Sequence, residues 1–523
     1  MRIYQFMEKS MKKQIYNPYL PLDTYIPDGE PHVFGDRLYV YGSHDAENGT
    51  EFCVLDYECF SAPINDLSDW RSEGIIYRAD QDPGRNEKDK YMYAPDVVRG
   101  NDGRYYLYYA MSGGHFTGAI HVAVCDTPAG KYEYYGEVRN PDGSTFDRCI
   151  TFDPGLLNDD GEIYLYYGWA IGTGVQKVPR VLNGVTSFVC KHFVEPKLFE
   201  KDKTQIKREP YGIEGGNVVQ LADDMLTVIG EPKRLAPGQF DAIGTQWEGH
   251  AFFEASSMRK IGDTYYYIYS SQVNHELCYA TSKYPDRDFT YRGVIVSNGD
   301  IGYKGRAQEE KLAMTGNNHG SLVCVKGQWY IFYHRHTNKT CYSRQGCAET
   351  IEIMSDGNIQ QVEMTSQGMN GSPLIAQGKY PAAICCNLYN AKTRKSGHTL
   401  IVGKNNNRMP YVTACNNERF VADMCDDTVI GYKYFLFKGK TSLTVFYRGG
   451  GKLKVFLDDR LVGEMHLKQC DKWSEASLVF EGHGKHALYL QTIGDTMCDL
   501  LEIEFFNNGI SGMVDSEGEN RFV

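Results

Sequence analysis

The chain has 523 residues, 42% hydrophobic, 23% charged and 13% aromatic, a composition that excludes a disordered scaffold and provides for about two to four packed domains. Its 55 Lys and Arg stand against 67 Asp and Glu, and the net charge of −12 disfavours nucleic acid and anionic substrates, which leaves a neutral ligand as the expected partner. Tyr (39) and Gly (54) dominate over Trp (5), a bias toward strands and tight turns that predicts an all-β protein.

The first twenty residues hold no stretch of seven apolar residues, and no run of 18 occurs anywhere, so neither a signal peptide nor a membrane span is expected and the location reads as cytoplasmic. Fifteen Cys at irregular spacing, with Cys385 and Cys386 adjacent and no C-x-x-C pair, read as reduced core thiols.

One pattern, a turn followed by an alternating aromatic strand, then recurs five times along the chain: GDRLYVYGS from Gly35, DGRYYLYYA from Asp102, DGEIYLYYG from Asp160, IGDTYYYIYS from Ile261 and KGQWYIFYH from Lys326. The equivalent tyrosines Tyr39, Tyr106, Tyr164, Tyr266 and Tyr330 are spaced by 67, 58, 102 and 64 residues, the size of a four-stranded antiparallel blade. Five blades predict a five-bladed β-propeller over 15–370. The long interval holds FEKDKTQIKREPYG, which is expected in an insertion or a lid-like loop rather than in a sheet.

Asp28, Asp96, Asp153, Glu254 and His319 lie 10 to 12 residues before these tyrosines. If the tyrosine marks the second strand of each blade, all five sit at or just before the innermost strand and face the central channel. Carboxyls crowded at one channel mouth raise one another's pKa values, an arrangement suited to chemistry, a metal or a closed polar network. Glycoside hydrolysis needs two carboxyl groups in opposite protonation states.

The segments DGEPHVFGDRLYVYGSHD from Asp28, YAPDVVRGNDGRYYLYY, FDPGLLNDDGEIYLYYG and HAFFEASSMRKIGDTYYYIYSS resemble glycoside hydrolase family 43, five-bladed propellers acting on arabinose-, xylose- and galactose-containing glycans. The resemblance implies Asp28 as general base with Glu30 as its rival, Asp96 of the A-P-D motif as the residue that tunes the acid's pKa, and Glu254 as general acid. Glu214 and Glu248 compete locally with Glu254 but fall outside the repeat register. It further implies a structural or supporting role for Asp153, an axial His319 beside a bound ion, usually calcium and reached directly or through water, and Arg344 in the sugar site. No organic cofactor is expected. Trp169, Trp247, Phe252 and Phe253 lie near the motif strands, and Trp169, Trp247 and Phe253 are expected to line the substrate site.

After a Gly/Ser/Pro-containing joint at 366–378 the pattern stops, and TVIGYKYFLF, TSLTVFY, KLKVFLDD, ASLVF, KHALYLQ and LLEIEFF predict a β-sandwich over 379–506, followed by a polar tail, 507–523. Its strand order resembles a carbohydrate-binding module of family 6, with Trp473 able to stack on a sugar, although a purely structural sandwich fits equally. The reading that follows is an inverting, exo-acting hydrolase of terminal pentose, α-L-arabinofuranose first, with β-D-xyloside or β-D-galactofuranoside as alternatives. A non-catalytic sugar-binding propeller is the reading from another class.

Overall fold

The computed structural model describes residues 14–87, 90–112, 118–171, 180–394 and 409–507. Five sheets follow one another in chain order. The first four have four strands each: β1 (Glu30–Phe34), β2 (Arg37–Tyr41), β3 (Tyr57–Pro63) and β4 (Arg71–Tyr77); β5 (Tyr91–Arg99), β6 (Tyr105–Ser112), β7 (Ile120–Cys125) and β8 (Glu133–Glu137); β9 (Gly155–Asp159), β10 (Glu162–Tyr167), β11 (Gly215–Leu221) and β12 (Val228–Pro237); β13 (Phe252–Ile261), β14 (Thr264–Ser271), β15 (Glu276–Ser282) and β16 (Thr290–Ser297). The fifth has three: β17 (Leu322–Val325), β18 (Gln328–His336) and β19 (Arg344–Ile351). Every pairing within them is antiparallel, and all five marker tyrosines lie on the second strand of a sheet. This is the five-bladed propeller.

Second strands such as β14, TYYYIYSS, are buried along nearly their whole length because a neighbouring blade covers each face. That accounts for runs of aromatic residues in place of strict alternation with polar ones. The ring is joined at its ends by residues 17–19. Asn17 Nδ2 donates to the Ala348 carbonyl (3.1 Å) and to Glu349 Oε1 (2.9 Å), its Oδ1 accepts from the Ala348 amide (3.0 Å), and the Tyr19 amide donates to Gly346 (3.3 Å).

The 102-residue interval contains an insertion between β10 and β11, outside any sheet as expected, and it is helical. It includes α1 (Asn183–Val189), α2 (Glu195–Leu198) and α3 (Lys203–Lys207). Asp202 caps α3 by accepting from the amides of Thr204 (2.6 Å) and Gln205 (2.8 Å), and Gln205 reaches back to the Asp202 amide (2.7 Å). The spacing D-K-T-Q is a capping box inside the charged stretch.

Among the described residues, 14–371 with 393 and 394 form one compact unit, and 372–392 with 409–507 form another. The second is a β-rich unit of seven strands: β20 (Leu374–Ile375), β21 (Gly378–Pro381), β22 (Asn387–Asn390), β23 (Tyr411–Cys415), β24 (Glu418–Cys425), β25 (Thr428–Leu457) and β26 (Arg460–Asn507). The six strands expected from sequence fall within β25 and β26, except that Asp458 and Asp459 of KLKVFLDD form the turn between them, and these long runs pair in successive segments, so that Leu443 faces both Leu478 and Phe505. Tyr380, Phe435, Phe437 and Phe505 form its aromatic core. Trp473 donates to Glu418 Oε2 (2.9 Å), and the Arg448 guanidinium lies over its ring. The expected tail lies, apart from Asn507, outside the described residues.

Candidate active site

The residues just ahead of the inner strands build the site. Asp28 precedes β1 and Asp153 precedes β9; both adopt the left-handed backbone conformation (φ 57° and 46°), which short polar side chains tolerate better than branched ones. Glu254 lies on β13, beside Ala255 at φ 68° and a break in register against β14. The bulge absorbs one residue, so Glu254 at offset 12 arrives with Asp28 and Asp153 at offset 11. All three line one pocket of about 270 Å³, together with Phe52, Tyr93, Phe152, Trp169, Phe253, Asn274, Asn317, His319, Cys341 and Arg344.

Asp28 is 4% exposed, and its Oδ1 lies 2.8 Å from Arg344 Nη1 and 3.3 Å from His334 Nδ1. Burial alone would raise its pKa, but Arg344, His334 and His319 together outweigh burial and hold the carboxyl well below the usual range. Asp45 fixes Arg344 in turn, accepting from Nε (2.8 Å) and Nη2 (3.1 Å). The guanidinium therefore faces Asp28 in one orientation.

Glu254 behaves oppositely. Burial, and then the charge of Asp28, push its pKa up to about 7, against the hydrogen bond that it accepts from Trp169 Nε1, 3.0 Å from Oε2. Asp153 is also raised, by burial first and then by the charges of Glu254 and Asp28. Its Oδ2 accepts from the Ala255 amide (3.1 Å), so it fixes the backbone that carries Glu254. Trp169 is placed by Gly168, whose φ of 150° and whose approach to the Gly215 carbonyl leave no room for a Cβ, which would lie 2.0 Å from that oxygen. The indole ring packs against Phe199 (5.5 Å) and Phe253 (5.8 Å).

Two expected residues are elsewhere. Asp96 does not line the pocket: Oδ1 bonds His32 Nε2 (2.6 Å) and the Val97 amide (2.7 Å), and Oδ2 accepts from the Leu156 amide (2.7 Å). Its offset from the marker tyrosine is 10, and after a register break between Tyr93 and Asp96 the pocket receives Ala94 instead. On a strand one residue of offset exchanges faces. Trp247 packs in the core against Tyr269 and Tyr291, and Phe252 against Tyr267 and Tyr269. Of the rival acids, Glu30 is bound by Arg259 (2.8 Å), Glu214 accepts from the Ile171 amide (3.1 Å), and Glu248 pairs with Arg180 (2.6 Å). None of them reaches the pocket. Asp45 and His334 were not singled out from sequence, although Asp45 ends the YGSHD segment of the first motif.

His319 Nδ1 lies 3.8 Å from Asp28 Oδ1 and 3.7 Å from Asp153 Oδ2, and burial lowers its pKa to about 4. Calcium asks for six to eight oxygens. Here one neutral imidazole stands beside two carboxylates already engaged by Arg344 and the Ala255 amide. These protein groups do not form a calcium cage, and no chemical step is assigned to an ion.

Comparison with known proteins gives a consistent answer. The profile of Glycosyl hydrolases family 43 matches residues 17–182. A xylosidase/arabinosidase of Thermoclostridium stercorarium is 43% identical over 506 residues, 94% of this chain and 98% of that protein. An arabinoxylan arabinofuranohydrolase of Bacillus subtilis (strain 168) is 24% identical over 524 residues, 91% and 88% of the two chains. Among solved structures, the GH43_1 enzyme of Xanthomonas citri shares the fold with a TM-score of 0.50 at 24% identity, over 71% of this chain and 99% of that one.

Proposed function

The chain belongs to family 43 of the glycosyl hydrolases, and from that premise we propose that it releases single terminal pentoses from oligosaccharides, with Glu254 as general acid and Asp28 as general base. It is an exo-acting glycoside hydrolase that inverts the anomeric centre. The observation that carries the residue assignment is the opposed ionisation of two carboxyls in one pocket, Asp28 held down by Arg344 and Glu254 raised to about 7.

Trp169 occupies Glu254 Oε2 and leaves Oε1 to carry the proton that passes to the departing glycosidic oxygen. Arg344 occupies Asp28 Oδ1 and leaves Oδ2 to take a proton from the attacking water. The water oxygen bonds to the anomeric carbon as the bond to the leaving oxygen breaks, and the product leaves with inverted configuration. Asp153, in the pocket where Asp96 is not, takes the supporting role beside the acid. Burial raises both carboxyls, and the charge of Glu254 raises that of Asp153 further, so the pair retains a proton up to neutral pH.

For the sugar we favour α-L-arabinofuranose. A pocket of about 270 Å³ walled by Phe52, Phe152, Trp169 and Phe253 suits one neutral sugar ring. β-D-Xylose is the second reading, supported by the double name of the 43% identical relative. A panel of nitrophenyl α-L-arabinofuranoside, β-D-xyloside and β-D-galactofuranoside, with the product anomer followed by NMR, separates these. Highest kcat/KM on the arabinofuranoside is expected, and preference for either other sugar would overturn that choice without touching the acid and base.

A further inference from the structure

Deeper along the inner strands, away from the sugar pocket, lies a grouping that the hydrolysis does not use. Glu30 and His32 on β1 and Asp96 on β5 each bring a ligand atom within 4.8 Å of the others. Glu30 is 2% exposed and Asp96 is fully buried. Oε2 of Glu30 accepts from Arg259 (2.8 Å) and Ser257 (3.1 Å), whereas its buried Oε1 has no hydrogen-bond partner among the described residues. A buried carboxylate oxygen left without a donor is costly, and such an atom calls for a water, a proton or a cation.

The surroundings favour a cation. Glu30 pairs with the guanidinium of Arg259 and Asp96 with the imidazole of His32, so the two carboxyls meet a single permanent positive charge. The ligands are held before any ion arrives: the Val97 and Leu156 amides fix Asp96, and His32 stacks on Phe34 at 5.5 Å with planes 5° apart. Such fixing by outer groups is what metal ligands require. A cavity of about 580 Å³, bordered by His32, Phe34, Arg99, Leu157 and Arg259, gives access from the end of the inner strands opposite to the sugar pocket. One imidazole and two carboxylates form the nitrogen and oxygen set that suits zinc and its first-row neighbours better than calcium or magnesium.

We propose that Glu30, His32 and Asp96 form a zinc-class divalent metal site, with a water from the adjoining cavity as fourth ligand. On binding, the hydrogen bond between His32 Nε2 and Asp96 Oδ1 opens, the ring proton moves by way of solvent from Nε2 to Nδ1 so that the imidazole stays neutral, and the metal takes Nε2 and Asp96 Oδ1 together with Glu30 Oε1. The ion joins the first and second blades and is separate from the hydrolytic groups.

The test uses the full-length protein, stripped with a chelator and titrated with Co2+ and then with Zn2+. One equivalent is expected, with visible d–d absorption for cobalt and an anomalous peak at the zinc edge between the three side chains. His32→Ala and Glu30→Gln should each weaken binding by at least about tenfold. His250→Ala, in the other such grouping among the described residues (His250, Glu276 and Cys278), should leave it unchanged. Absence of binding in the wild type, binding retained in His32→Ala, or binding lost in His250→Ala would each overturn the site. Should the His32 and Glu30 variants not fold, the anomalous map of the wild type decides alone, and no peak, or a peak elsewhere, refutes the proposal.

Discussion

Replacing Trp169 by Phe removes one hydrogen bond, Nε1 to Glu254 Oε2 at 3.0 Å, and keeps a ring against Phe199 and Phe253. A hydrogen bond to an ionised acceptor is worth about 1.5–3 kcal/mol and one to a neutral acceptor about 0.5–1.5 kcal/mol. The ionised form of Glu254 therefore loses about 1 kcal/mol more than the protonated form. At about 1.4 kcal/mol per unit, its pKa rises from about 7 by roughly 0.5–1 unit. The alkaline limb of kcat/KM should move upward by that amount, measured on an unactivated oligosaccharide whose leaving group needs the acid. KM is expected to change as well, because the indole lines the pocket, so the readout is the position of the limb and not its height. A limb that stays in place or moves downward would refute either the hydrogen bond or the assignment of Glu254 as the titrating acid.

Arg344→Lys keeps a charge but cannot bond Asp28 and Asp45 together, so the Asp28 pKa should rise and the acid limb of the profile should move to higher pH; an unmoved acid limb would free Asp28 from Arg344. Asp96→Asn puts an amide NH2 where a carboxylate oxygen accepted from Val97 or Leu156, which should lower Tm through a loss of about 1–3 kcal/mol while the alkaline limb stays in place; a displaced limb would return Asp96 to the acid's surroundings. Glu254→Gln tests the raised pKa by stability. The folded-state value of about 7 lies above the ordinary 4.5, so the contribution of Glu254 to stability is fully present below 4.5 and is lost as pH rises through 7, and the variant escapes this loss. Its advantage should grow to at most about 3 kcal/mol across that window in denaturant titrations at several pH values, and a difference independent of pH would contradict the shift.

The blades were legible because a turn followed by YxY recurs at blade-sized intervals, and because the same count backwards from each tyrosine reaches the strand entrances. The count failed where the backbone departs from regular pairing. Glu254 kept its place at offset 12 through the bulge at Ala255, while Asp96 at offset 10 turned inward to His32, and neither break is written in the local residues. Asp153 was at the regular offset and became one of the three pocket carboxyls, so register was a better guide than motif strength. Trp247 and Trp169 look alike in sequence, yet only Trp169 follows a glycine that lets the chain approach Gly215 and turn the indole toward Glu254. In the insertion, charge marks a stretch outside the sheets, and the capping box at Asp202 accounts for the helix that it forms. Arg344 was legible, whereas Asp45, which orients it from 299 residues away, was not, since no local pattern encodes that contact.

The most direct test of the acid and base assignment compares Glu254→Ala and Asp28→Ala on substrates of graded leaving-group ability. Glu254→Ala should lose most on poor leaving groups and little on activated aryl glycosides, which depart without a proton. Asp28→Ala should lose on both, because water must be activated whatever departs, and azide should restore part of that loss. Equal losses across the series in Glu254→Ala, or steeper leaving-group dependence in Asp28→Ala, would contradict the assignment.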